Sequence, residues 1–112
     1  MTTTQTSPNQ RWARAHGLFD TGEFDAAAAL LAELVATTES ATDTLAVRLL
    51  LARAYYHSAQ LHHAEAETRA VLAADPANAY AWLLLGRTLE RQSRHAEAGG
   101  PLRMAAAMGL DR

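Results

Sequence analysis

His57, His62 and His63 stand within one short stretch of a 112-residue chain. Imidazole is the side chain best suited to hold a transition metal or to move protons near neutral pH. Their spacing supports neither task. A helical pair of metal ligands sits at i and i+4, whereas His57 and His62 are five positions apart across a break, with no carboxylate fixed beside them. The chain has no cysteine, which removes thiolate ligands, thiol nucleophiles and disulfides. No glycine-rich phosphate loop, nucleophile elbow or pair of catalytic carboxylates stands out, so we expect no metal, no cofactor and no enzymatic activity.

The other residues with chemistry to offer are cationic and aromatic. All ten basic residues are Arg, scattered among twelve acids for a formal net charge of −2. Binding a phosphate backbone needs a basic surplus, so nucleic acid is not an expected partner. Met1 to Gln10 carries neither a basic residue nor an apolar stretch, and the longest apolar run, Ala26 to Ala32, is far too short for a bilayer. We therefore expect no secretory signal, no membrane partner and a cytoplasmic location.

Helices must position these residues. The chain has 26 Ala and 16 Leu, no Ile and three Val, and such side chains lose little rotamer freedom in a helix. Ser7, Pro8 and Gln10 read as an N-cap, a proline in the first turn and a capping-box partner, so a first helix starts at Pro8 behind a disordered tail over 1–7. It stops near Thr21-Gly22, and a second helix runs from about Phe24 to Thr37. A loop from Thr37 to Thr44 supplies Ser40, Thr42 or Asp43 as the cap of a third helix reaching about His57. A fourth follows the turn from Ser58 to Gln60 and ends at Asp75-Pro76, where the ladder cannot continue. Asn78 caps a fifth that ends near Gln92-Ser93, and a sixth runs from about His95 to Met108, with Gly109 as its stop. Gly99-Gly100-Pro101 falls inside that last helix, where Gly costs about 1 kcal/mol and Pro about 3 kcal/mol relative to Ala, so a kink or restart is expected.

The helices repeat. At a lag of 34, Leu51 meets Leu85, Ala52 meets Gly86, Tyr55 meets Leu89 and Ala64 meets Ala98. At a lag of 37, Ala15 meets Ala52, Leu18 meets Tyr55 and Ala27 meets Ala64, the three extra residues falling in the 37–44 loop. Small residues recur where paired helices must approach closely, flanked by Leu, Tyr and Trp. This pattern resembles the tetratricopeptide repeat. The last copy carries it most fully, in Trp82, Leu85, Gly86, Leu89, Ala98, Leu102 and Ala105. The middle copy has Leu51, Ala52, Tyr55, Ala64, Val71 and Asp75-Pro76, with Thr68 where a large residue is usual. The first keeps Ala15, Leu18, Gly22, Phe24, Ala27, Leu31 and Leu34 but sets Arg11 and Arg14 where Trp and Leu are usual.

The resemblance implies an all-α fold, a right-handed superhelical stack of three antiparallel helix-turn-helix hairpins over about 8–41, 45–78 and 79–112. It implies a non-catalytic protein-interaction module, an adaptor or scaffold, whose concave wall comes from the first helix of each hairpin. The ligand-facing slots of that wall select Asn9, Trp12, His16, Phe19 and Asp20 in the first repeat. They select Ala46, Leu49, Arg53, Tyr56 and His57 in the second, and Tyr80, Leu83, Arg87, Glu90 and Arg91 in the third. Aromatic rings with Arg forks suit an extended protein segment or peptide that is acidic or ends in a carboxylate. Plain structural uses compete: Trp12 and Phe19 can pack on the N-terminal tail, and Arg87, Glu90 and Arg91 can pair among themselves. The carboxylate clamp of the co-chaperone type uses Lys and Asn in slots held here by Trp12, His16, Leu50, Tyr80 and Leu84, so that clamp is not expected. The third repeat is followed by no extra polar helix, which leaves Leu102, Met108 and Leu110 as candidates for an exposed apolar end and for self-association into a homo-oligomer. Alternatively, the Gly99-Gly100-Pro101 break lets the last helix fold back over that end.

Overall fold

The computed structural model describes residues 7–38 and 44–110. Six helices occupy them: α1 (Pro8–Asp20), α2 (Phe24–Thr37), α3 (Leu45–His57), α4 (Leu61–Ala74), α5 (Ala79–Arg91) and α6 (His95–Ala107). Their limits have local causes. Ser7 Oγ accepts from the Gln10 amide at 3.1 Å while Gln10 Oε1 accepts from the Ser7 amide at 3.0 Å, closing a capping box ahead of Pro8. Ser7 is therefore a fixed N-cap rather than part of a tail. Asn78 Oδ1 accepts from the Ala81 amide at 2.9 Å and caps α5. The expected caps of α3, Ser40, Thr42 and Asp43, lie outside the described residues, and Thr44 directly precedes the helix.

All three hairpins reverse through one turn geometry. Gly22, Ala59 and Ser93 take φ values of 83°, 62° and 60°. The following amide then returns to a carbonyl of the preceding helix, Glu23 to Leu18 at 2.8 Å, Gln60 to Tyr55 at 2.8 Å and Arg94 to Leu89 at 2.9 Å. Only the first of these residues is glycine. Ala59 and Ser93 hold the left-handed conformation against a steric penalty of about 1–2 kcal/mol.

Each helix packs on the helices before and after it in the chain, and α3 also meets α5. The result is an elongated stack with extents of 56 × 25 × 20 Å. Ala15, Ala27, Leu31, Leu34, Leu51 and Ala54 form one core between α1, α2 and α3. Val71, Leu72, Ala81, Leu85, Leu89 and Ala98 form a second between α4, α5 and α6. The small residues allow the close approach: a Cβ added to Gly86 would run into the Leu102 side chain and stand 3.3 Å from the Leu102 backbone nitrogen.

That contact bears on Gly99-Gly100-Pro101. The expected restart does not occur, since α6 is one helix from His95 to Ala107 with Pro101 inside it. Proline removes one hydrogen bond of the ladder, but Ala98, Leu102 and Ala105, on both sides of it, are buried or half-buried. Ala98 and Leu102 lie in the core shared with α5. Leu102 is thus a core residue and not part of an exposed end.

The hairpins are also tied by polar bridges from the turn of one repeat to the second helix of the previous one. Gln60 Nε2 donates to Asp25 Oδ1 at 3.2 Å. Glu65 accepts across the hairpins from Arg94 Nη1 at 2.6 Å and Gln92 Nε2 at 3.1 Å, and within α4 from Arg69 Nε at 3.0 Å. Burial alone would raise the Glu65 carboxyl, but the hydrogen bonds from Arg94, Gln92 and Arg69 outweigh it and hold the group down at about 2. Among the described residues no helix is long and apolar enough to cross a membrane.

Candidate functional site

Arg53, Tyr56 and His57 project from one face of α3, and Tyr80, Leu83, Leu84 and Arg87 from one face of α5, because residues three and four apart on a helix are neighbours. Where the two helices meet, these seven residues line a depression of about 200 Å³. Six of them belong to the face expected from the sequence. Leu84 does not, although its position four after Tyr80 and three before Arg87 was the signal for it. Leu83 and Leu84 are only 7% and 5% exposed, so they make the floor of the depression, and the polar and aromatic side chains make its rim.

Arg53 on this rim and Arg91 beside it are held by rings rather than by acids. The Arg53 guanidinium carbon lies 4.7 Å from the centroid of Phe19 on α1 and 5.7 Å from that of Tyr80 on α5, so one cation links all three repeats. Its Nε is buried without an acceptor. Arg91 sits 4.6 Å from the Tyr56 ring centroid and donates from Nη1 to the Tyr56 carbonyl at 2.6 Å. Arg11, Arg48, Arg69 and Arg94 all have carboxylates within 4.0 Å. Among the described residues, Arg53, Arg87 and Arg91 have none, as is also true of Arg14 and Arg103 elsewhere, and no Glu90 pairing with Arg87 or Arg91 occurs. The overall charge is slightly negative, but this face carries unneutralised positive charge.

His57 closes the basin at the end of α3. Its ring stacks on Phe24 at 4.7 Å and meets Phe19 edge-on at 5.7 Å. Burial, and then the nearby charges of Arg53 and Arg91, lower its pKa from the usual histidine value. His63 packs instead on Tyr55 at 5.1 Å. Among the described residues no group of three His, Asp or Glu side chains is arranged to hold a metal ion.

The rest of the expected face falls elsewhere. Asn9, Trp12 and Ala46 line a second depression of about 440 Å³ with Pro8, Leu34, Thr38 and Val47. Trp12 lies against the first core and meets His16 at 4.3 Å in a T-shaped pair. Phe19 is partly buried on the same core, and Leu49 packs on the second. Asp20 and Glu90 are exposed without lining either depression. On α6 and just beyond it, Met108 is 40% exposed and Leu110 half-buried, while Met104 is 42% exposed. Met104 escaped notice in the sequence although it stands one helical turn before Met108.

No protein-family model matches the sequence, and no curated protein does. Solved structures do match. One of them, a point mutant of the tetratricopeptide-repeat protein MamA, shares 16% identity and superimposes with a TM-score of 0.79, over 94% of this chain and 74% of that one. The chain has the tetratricopeptide-repeat fold. In this fold α1, α3 and α5 are the first helices of the three repeats, and the basin lies where the second and third stand side by side. Arg11 and Arg14, which replace the usual Trp and Leu, lie on the outer flank of the first repeat beside Leu18, Glu23, Ala26, Leu30 and Glu33.

Proposed function

We propose that this chain is a non-catalytic protein-interaction module that binds an acidic segment of a partner, or its terminal carboxylate, in the basin between α3 and α5. The observation that carries the reading is the set of three arginines, Arg53, Arg87 and Arg91, gathered without a carboxylate around an aromatic and leucine-floored depression. A planar guanidinium braced by rings loses little freedom on binding and offers its N–H edge as a fork for a carboxylate. Tyr56, Tyr80 and the leucine floor supply apolar area for neighbouring side chains, and the tetratricopeptide fold of the chain is consistent with such use.

The test is a titration of a labelled octapeptide of alternating glutamate and leucine, with a free carboxyl terminus, followed by fluorescence anisotropy. The wild-type protein is compared with the Arg53→Ala, Arg87→Ala, Arg91→Ala variant, its helicity first matched by circular dichroism. Each charge-assisted hydrogen bond is worth about 1.5–3 kcal/mol, so the variant should bind at least about tenfold more weakly. An uncharged glutamine counterpart with an amidated end should bind as poorly to the wild type. Equal affinities across these pairs would refute the reading. A second reading, self-association through α6, is favoured by the exposed Met104 and Met108. Its mark is a sedimentation coefficient that rises with concentration and falls back in Met104→Glu.

A further inference from the structure

His57 shares the basin wall with cations, and every charged group around it can be named. On α3, Arg53 stands one turn before it and the Tyr56 ring meets it at 5.5 Å. From α5 come Tyr80 and Arg87, which line the same depression, and Arg91, which sits over Tyr56. From α1 and α2 come the uncharged rings of Phe19 and Phe24. The acids at that end are engaged elsewhere or exposed: Glu23 accepts from Thr21 Oγ1 at 2.8 Å, Asp25 accepts from Gln60, and Asp20 on α1 and Glu90 on α5 face solvent. The free basin thus sets an exposed imidazole edge among positive charges and apolar rings, a setting that disfavours its protonated form.

We propose that His57 is a latent further cation of this basin, neutral in the free protein and protonated when an acidic ligand is bound, so that binding takes up a proton and tightens as pH falls. The inference rests on the acidic-ligand reading above. A carboxylate seated against Arg53 or Arg87 cancels the repulsion that disfavours imidazolium and adds an attraction that favours it. Linkage is reciprocal: if ligand promotes protonation, protonation promotes ligand binding by the same factor. A one-unit rise in the His57 pKa on binding corresponds to a tenfold ceiling on the affinity gain. Glutamate side chains stay ionised above about pH 5.5, so the ligand itself contributes no such trend.

The experiment titrates the same glutamate–leucine octapeptide at pH 7.5 and pH 5.5 at constant ionic strength, with calorimetry in two buffers of different ionisation enthalpy to count protons. We expect about fivefold tighter binding at pH 5.5 and fractional proton uptake on binding. His57→Gln and the ring-conserving His57→Phe should each bind with a flat profile, while His16→Gln keeps the wild-type slope. Binding that is equally tight at both pH values, or a slope that survives in both His57 variants, overturns the inference and leaves the acidic-ligand reading standing. Failure of the peptide to bind at either pH removes both.

Discussion

Gly86→Ala offers a sharp test of how the third hairpin is packed, because two effects of opposite sign meet at one methyl group. In an exposed helix the substitution would be stabilising by about 1 kcal/mol, through helix propensity alone. Here the new Cβ would overlap the Leu102 side chain and come within 3.3 Å of the Leu102 backbone nitrogen. Overpacking of this kind costs about 1–3 kcal/mol. The cost falls in the lower part of that range, because the first repeat accommodates Ala15 and Leu31 in the same two slots, both fully buried, at a helix spacing to which α5 and α6 can relax. The net expectation is a loss of about 1 kcal/mol, or about 5 °C in melting temperature for a domain of this size. The assay is urea unfolding followed by circular dichroism, run on a double-mutant cycle. Leu102→Ala alone should cost about 2 kcal/mol, less than a fully buried leucine, since Leu102 is half-buried. In the Leu102→Ala background, Gly86→Ala should become stabilising, with the obstructing side chain gone. If Gly86→Ala stabilises the wild-type protein, the close approach of α5 and α6 at this point is not as described.

Two further perturbations probe the turns and the bridges between repeats. Ala59→Gly and Ser93→Gly should each stabilise the fold by about 0.5–1 kcal/mol by relieving positive φ, while Gly22→Ala should destabilise it by about 1 kcal/mol, all read from denaturant midpoints. Glu65→Gln should cost about 2 kcal/mol at neutral pH, as three donors lose their carboxylate. Because the Glu65 carboxyl is held down at about 2, its contribution is fully present above the ordinary glutamate value near pH 4.3. It is lost as pH falls from there toward 2, so the stability gap between wild type and Glu65→Gln should narrow over that window and be widest above it. A gap that stays constant from pH 6 to pH 2.5 would contradict the hydrogen-bonded carboxylate.

Much of the fold is written locally. Ser7, Pro8, Gln10 and Asn78 act within three or four residues of themselves, so caps and helix starts can be read without knowing what packs on what. Ala59 and Ser93 are different. Nothing in their side chains favours positive φ, and only their alignment with Gly22, at lags of 37 and 34, marks them as turn residues. At Gly99-Gly100-Pro101 the local cost is real, but burial of Ala98, Leu102 and Ala105 along α6 keeps the helix from stopping and restarting there. For the candidate site, the slot pattern selected six of the seven residues lining the α3–α5 basin, yet Trp12 and Leu49 proved to be packed against the cores.

The sequence by itself determined six helices, the caps of α1 and α5, the pairing into three hairpins and the faces on which the small residues meet, because all of these follow from periodicity and short-range hydrogen bonding. Only the tertiary structure decided which charges stand alone. Whether an arginine is paired depends on side chains 19 to 35 positions away, as with Arg48 and Glu67, Arg94 and Glu65, or Arg91 and the Tyr56 carbonyl. Those distances are set by how helices pack within and between hairpins, and the periodicity of a single helix does not encode them. Packing pairs Arg11 and Arg48 across the helices of their own hairpins and Arg94 across to the previous one, while Arg69 pairs within α4; Arg53, Arg87 and Arg91 are left without a carboxylate at one basin.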